Sequence, residues 1–334
     1  MNIYNRTQPL LAISAVLAMV LGASEASAAN LTAATTQSPT IGKVAAASGS
    51  ATTNFPLSDS GTLGTPSGGG SKVSGTPKQA IITITCVKNT NCQSKPVTIT
   101  ITATGGSGRG AGTNLSSFTS TASPTSGTVT GTSTLVLPSG IGPKSTTTNS
   151  AVAVDVGATF PVLGDTASSA TTGSWTFTIS ASDTFGDSST PLTVTGTATV
   201  EHGLSVTATT LSFGTIASSA GGGAVTYPAG TGTLTVPADT KALGSHSLGS
   251  VSVTGEAGQV ISMTVTATTM VDQSSTGVSV TLTPSISPGG SQLIPGTAGS
   301  AGTKTFAVGG NFTLPAHTVP GTYKGTYSAT ALYN

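Results

Sequence analysis

The chain has 334 residues, a formal charge of +1 and only 6% charged residues. So neutral a sequence has no field to draw in nucleic acid or an anionic membrane surface. It is not a disordered chain either, since those combine low hydrophobicity with high net charge; here mean hydropathy is +0.22, and Val, Ile and Leu recur throughout.

Residues 1–28 read as a signal peptide. Arg6 opens the segment, Leu10 to Leu21 is an apolar run, and Ala26-Ser27-Ala28 places small residues at a cleavage site. The run is shorter than the roughly 20 residues a helix needs to cross about 30 Å of hydrocarbon, which argues against an anchor. The expected protein is exported to the periplasm, the cell surface or beyond. Its mature chain begins near Ala29 and has no membrane span.

Residues 29–189 are expected to form a first β-sandwich. Ile82-Thr83-Ile84-Thr85-Cys86 and Val97-Thr98-Ile99-Thr100-Ile101 alternate apolar with hydroxyl side chains, the period of a strand with one buried face. Threonine is β-branched and suits the wet face. Cys86 and Cys92 are the only cysteines. An exported pair with no histidine nearby to complete a metal set is expected to form a disulfide. The run Gly105 to Gly112 contains Arg109. No helical pattern follows it and no Gly-Lys-Ser/Thr is present, so it reads as a β-loop rather than a phosphate cradle.

Residues 190–202 are a linker or a complementing strand. Leu192 to Val200 alternates strictly, with Leu192, Val194, Ala198 and Val200 in phase. It either completes the first domain in cis or begins the second. Residues 203–334 are expected to form a second β-sandwich, with Leu234-Thr235-Val236, Val251-Ser252-Val253 and Met263-Thr264-Val265 again alternating. No stretch of the mature chain has helical periodicity, so the fold class is all-β, with two tandem immunoglobulin-like sandwiches.

The second half repeats the first. Thr40 to Val44 matches Ser212 to Ile216, Val73 to Ile81 matches Val253 to Ile261, and Val156 to Phe160 matches Val308 to Phe312. Gly173-Ser174-Trp175 and Phe185 match Gly321-Thr322-Tyr323 and Tyr333. The shift in offset between the second and third matches, from 180 to 152, gives the first copy about 28 extra residues, in the stretch carrying both cysteines and the glycine run. Lengthened loops on a rigid scaffold are where binding evolves. Lys88, Asn91 and Arg109 are therefore the candidate ligand residues, against the plainer reading of a long hairpin.

On Leu211-Ser212-Phe213-Gly214, Val253 to Gly258, Val308-Gly309-Gly310 and Gly321-Thr322-Tyr323 running to Tyr333, the second half resembles a bacterial family of unknown function numbered 4402. The tail is also similar to chaperone–usher pilins and spore-coat-U-like domains. In those the penultimate residue is Tyr, here Tyr333, and a Gly lies fourteenth from the end, here Gly321. The resemblance implies an incomplete sandwich whose missing strand another polypeptide supplies. It marks Gly321, Tyr323, Tyr327 and Tyr333 as assembly-strand candidates, and a periplasmic chaperone, an usher or other surface subunits as partners.

No catalytic constellation is legible, and the chain is expected not to be an enzyme. His202, His246 and His317 sit in polar or turn-like settings, and the carboxylates are scattered. No metal-ligand spacing or nucleophile elbow occurs, and no cofactor is expected. Trp175 is read as structural because it aligns with Tyr323 in the repeat. The expected function is a structural, fimbrial or coat-like subunit assembling by strand pairing. The alternative is a tip adhesin or glycan-binding surface protein, for which the segment Ala29 to Thr40 speaks: only Leu31 in it is large and apolar, a poor strand to donate. A secreted hydrolase is the remote third reading.

Overall fold

The alternation of β-branched and hydroxyl residues produces strands almost throughout. A computed structural model describes residues 30–123, 128–129, 133–164, 170–274 and 278–334; the expected signal peptide lies outside them. The first region contains β1 (Leu31–Gln37), β2 (Thr40–Ala45), β3 (Thr52–Leu57), β4 (Ser71–Ser74), β5 (Ala80–Cys86), the short helix α1 (Thr90–Ser94), β6 (Val97–Gly108), β7 (Ser116–Ser123), β8 (Thr128–Val129), β9 (Thr134–Leu137), β10 (Ser150–Leu163), β11 (Thr172–Asp183) and β12 (Leu192–Glu201). One sheet runs β1-β5-β10-β3, with β7 also on β10. The other runs β4-β2-β12-β11-β6-β9-β8. Their inner faces share one core, in which Phe55, Ile82, Ile84, Phe160, Trp175 and Phe177 are almost wholly buried. In β5 the expected alternation holds to the residue: Ile82, Ile84 and Cys86 point inward and the threonines outward.

The second region contains β13 (Ser205–Ala208), β14 (Gly223–Tyr227), β15 (Gly249–Glu256), β16 (Val260–Ala267), β17 (Met270–Asp272), β18 (Ser279–Val280), β19 (Thr283–Ser287), β20 (Ser291–Leu293), β21 (Ala301–Leu314), β22 (Tyr323–Lys324) and β23 (Tyr327–Tyr333). One sheet runs β13-β15-β21-β14, with β19 also on β21. Against it stand two short sheets, β20-β16-β23 and β18-β17-β22. All-β structure in sandwich-like layers therefore holds for both halves. The one helix among the described residues, α1, carries Cys92 of the Cys86–Cys92 disulfide.

Pairing fixes the repeat more firmly than local matches do. β10 sits between β5 and β3 as β21 sits between β15 and β14. Gly42 and Gly214 both hold a left-handed backbone, φ +79 and +72, where a Cβ would strike the carbonyl oxygens of Ser74 and Ser245. That supports the match of Thr40–Val44 to Ser212–Ile216. The match of Val73–Ile81 to Val253–Ile261 is overturned. Val156 pairs with Ala80 and Val308 with Gly249, so β5 corresponds to β15, and Thr40↔Lys78 corresponds to Ser212↔Ser247. From Ala80 to Val156 is 76 positions and from Gly249 to Val308 is 59, so the first region carries 17 extra residues there and not 28. Phe185 also differs from its sequence match Tyr333: it lies in the turn after β11 and is 59% exposed.

Candidate functional site

The stretch Leu192–Glu201 lies inside the first region's larger sheet. As β12 it pairs antiparallel with β11, from Thr172↔Thr199 to Ile179↔Leu192. On its other edge it pairs parallel with β2, from Thr197↔Thr40 to Glu201↔Ala45. Val194, Ala198 and Val200 point into the core and are buried, while the intervening threonines face outward. Leu192 packs against the same core less deeply.

The second region has the counterparts of β2 and β11 but, among the described residues, no strand between them. Residues 212–216 bridge outward to 242–247, β22 pairs only with β17, and β23 pairs on its inner side with β16. Between these edges lies a groove of about 810 Å³ bounded by residues 210–218 and 318–327. β12 covers residues 172–179 and 40–45 in the first region. By the repeat these correspond to 320–327 and 212–217, so the groove coincides with the footprint of the absent strand. Its floor is apolar, formed by Phe213, Ile216, Met270, Leu282, Phe312 and Tyr323. Most of these are only half-buried, although they pack on a small core of Val225, Val280, Phe312 and Leu314.

Three of the four assembly-strand candidates line this edge: Gly321 and Tyr323 flank the open part, and Tyr327 closes the far end, where its hydroxyl donates to the Thr209 carbonyl. Tyr333 lies beyond the groove at the other end of β23, where its hydroxyl donates to the His202 carbonyl at 2.7 Å. The backbone N–H of Glu256 donates to the Tyr333 oxygen at 2.6 Å. Burial raises the pKa of the Tyr323, Tyr327 and Tyr333 hydroxyls, most of all Tyr333. Both ends of β23 are therefore latched by neutral hydroxyls.

Beside the Tyr333 latch lies a cluster of charges. Arg109 Nη2 stands 2.8 Å from Glu256 Oε2, with both side chains 2% exposed. Lys43 Nζ stands 2.7 Å from Glu201 Oε1 and donates to Gln259 Oε1 at 3.0 Å. The Glu256 carboxylate also accepts from the His202 N–H at 3.2 Å and the Gly299 N–H at 2.5 Å. Lys43 and Arg109 come from the first region, Glu256 and Gln259 from the second, and Glu201 and His202 join them. Desolvation raises the pKa of Glu201, and Lys43 opposes that rise.

The candidate ligand residues do not converge. Lys88 and Asn91 sit in the disulfide loop before β6, whereas Arg109 follows the other end of that strand and is held in the ion pair. Part of the expected glycine loop is strand, because Gly105 to Gly108 pair with Thr176 to Gly173 of β11. Trp175 is fully buried, its indole N–H donating to the Pro161 carbonyl at 3.2 Å, as a structural residue would be. His246 and His317 are exposed, and among the described residues no three His, Cys, Asp or Glu gather as metal ligands. Glu201 and Glu256, read as scattered carboxylates, are brought into one cluster. The sequence reading missed Lys43 and Gln259; the only signal was the scarcity of charge, which makes each buried charge informative. Among the described residues no helix is long and apolar enough to cross a membrane.

Residues 204–333 match the family model described as "Domain of unknown function (DUF4402)". No curated protein matches the chain. One solved structure, titled "Chaperone-tip adhesin complex is vital for synergistic activation of CFA/I fimbriae biogenesis", aligns over 85% of this chain and 84% of its own, at 13% identity and a TM-score of 0.20. A TM-score that low leaves no shared backbone geometry to transfer.

Proposed function

We propose that this chain is an exported bacterial surface protein that takes part in a fimbrial or coat-like assembly, with the second region accepting a strand from another subunit. The observation that carries this reading is the groove at 210–218 and 318–327, congruent with the slot that β12 fills in the first region. Two facing sheet edges over an apolar floor are a template for strand addition. The role is assembly and not catalysis. A periplasmic chaperone that shields the groove before assembly fits the same chemistry. The adhesin version, in which the first region presents a surface to a glycan, is favoured by β1: it pairs with β5 and buries Leu31 instead of reaching toward a neighbour.

The test is the state of purified residues 29–334, by light scattering, negative-stain microscopy and hydrogen exchange. Rods or oligomers, with amides in 212–216 and 322–327 that make no bond in the monomer gaining protection in the assembly, are expected. A monomer at all concentrations with those amides already protected overturns the reading.

A further inference from the structure

We propose that a second copy of this chain docks at the joint between the two regions, the Asp183–Asp187 turn of one copy carrying its Phe185 ring into a crevice beside β23 of the next. The contact uses no residue of the strand groove and stands apart from strand acceptance.

The turn between β11 and β12 presents Phe185, the one exposed large apolar side chain among the described residues of the first region. It is a braced turn. Asp183 Oδ1 accepts from the Phe185 N–H at 2.8 Å and the Asp187 N–H at 3.1 Å. The two Asp187 carboxylate oxygens accept from the side-chain amides of Asn30 and Asn89, at 2.9 and 2.7 Å. Asn89 itself lies in the loop closed by the Cys86–Cys92 disulfide. A ring held out on so fixed a turn loses little freedom when it docks. Both carboxylates flanking it are matched to neutral amides, and neither is ion-paired, not even with Lys88 beside Asn89.

The receiving surface lies at the joint. Along β16 and β23 the outward face is Ser262, Thr264, Thr266, Ser328 and Thr330, but at the end nearest the joint Val260, Leu293 and Leu332 are exposed together. Val260 pairs with Leu293, and Leu332 pairs with Ser262 one pleat along the same face. Clustered exposed apolar side chains on an otherwise hydroxyl-rich face mark an interaction surface. Beside Leu332 a crevice of about 320 Å³ runs between the two regions, walled by Ala46, Lys72 and Val73 on one side and Leu204, Leu332 and Tyr333 on the other. A cavity of about 150 Å³ already admits benzene, so the crevice has room for a phenyl ring. Lys72 is the one charged side chain lining it, and no carboxylate pairs with it. In a chain with only 6% charged residues, an unpaired cation at the crevice and two carboxylates around the exposed ring are complementary.

Knob and crevice belong to opposite ends of the first region. β11 starts beside Arg109 at the joint, whose N–H donates to the Thr172 carbonyl, and ends at Asp183, twelve residues on. At strand rise that is roughly 35 Å. One copy therefore cannot fill its own crevice, and the contact joins copies head to tail.

Cross-linking tests the contact on the purified mature chain, residues 29–334, with the native disulfide intact. One preparation carries Thr184→Cys and the other Ser71→Cys, both at exposed positions that flank the knob and line the crevice. Under mild oxidation the mixture is expected to link faster than either variant alone, and the double variant to form a ladder of multimers. Adding Phe185→Ser should slow linkage at least ~30-fold, and Lys72→Glu should slow it less, both with Trp175 emission unchanged. A mixture that links no faster than either variant alone overturns the proposal, as does a Phe185→Ser chain that links at the parent rate. Oligomers that survive Phe185→Ser and gain protection at 322–327 overturn this contact while leaving strand acceptance intact.

Discussion

The two regions share an architecture and differ in how well its centre is closed. In the first, Trp175, Phe177, Ile179 and Ala181 of β11 are all within 1% of full burial and belong to one continuous core. In the second, Tyr323, Tyr327, Ala329, Ala331 and Tyr333 are half-buried, and the core divides into two clusters, one around Phe306 and Val308 and the other around Phe312. The pleat and the inward phase are the same. The difference is one strand, which supplies both its own apolar face and the cover for the faces beside it. Consolidation of a sandwich core is decided at its last strand.

The largest expected effect comes from breaking that difference. Val194→Asp places a charge in the first region's core, a cost of more than about 4 kcal/mol. The first region should unfold while amides in β15 and β21 stay protected. Trp175, the only tryptophan, reads the event as a red shift in emission. An unshifted emission maximum would show that β12 is dispensable.

Arg109→Met ranks next. It leaves Glu256 buried without its cation, and losing one member of a buried pair costs about 3–5 kcal/mol. The expected signature is a single thermal transition resolving into two, an earlier one from the second region and a later one followed by Trp175. The double change Arg109→Met with Glu256→Gln should recover much of the loss; additive losses would deny the pairing.

Glu201→Gln should have the smallest effect, visible mainly in its pH dependence. Burial raises the Glu201 pKa above its ordinary value near 4.5. Between that value and the raised one, the folded chain holds a proton that the unfolded chain releases, so stability falls as pH rises through the window. The variant should lack this fall and be no less stable than the parent at neutral pH. Parallel melting curves against pH for the two proteins would contradict it.

Strands were legible in the longer alternations of threonine with valine or isoleucine, as in β5, β6 and β12, because side-chain phase is a local property; the short Leu234-Thr235-Val236 forms only an isolated bridge from Thr235 to Thr226. The disulfide was legible from the expected export of the chain and the lack of a nearby histidine to complete a metal set. The repeat was legible, but its register was not: in a chain rich in Thr, Ser and Gly, short matches arise cheaply, and Val73–Ile81 found a false partner that only sheet pairing corrects. Of the residues that the pilin resemblance marks, Gly321, Tyr323 and Tyr327 fall on the groove's edge. The groove was not, because it is defined by the absence of a strand. The charge cluster was not readable either, since Lys43, Arg109, Glu201 and Glu256 meet only when two sheets and a connection come together.

The parallel pairing of β2 with β12 also has a mechanical meaning. The chain enters this pair at Thr40 and leaves it at Glu201, at opposite ends of two strands running the same way. A pull transmitted through the first region therefore loads their hydrogen bonds in shear, sharing the force across the pair instead of peeling the bonds one at a time. Beside the exit, Arg109 of the first region is ion-paired with Glu256 of the second, and Lys43 with Glu201. In the assembly proposed above, that shear geometry would let the first region bear tension without unzipping.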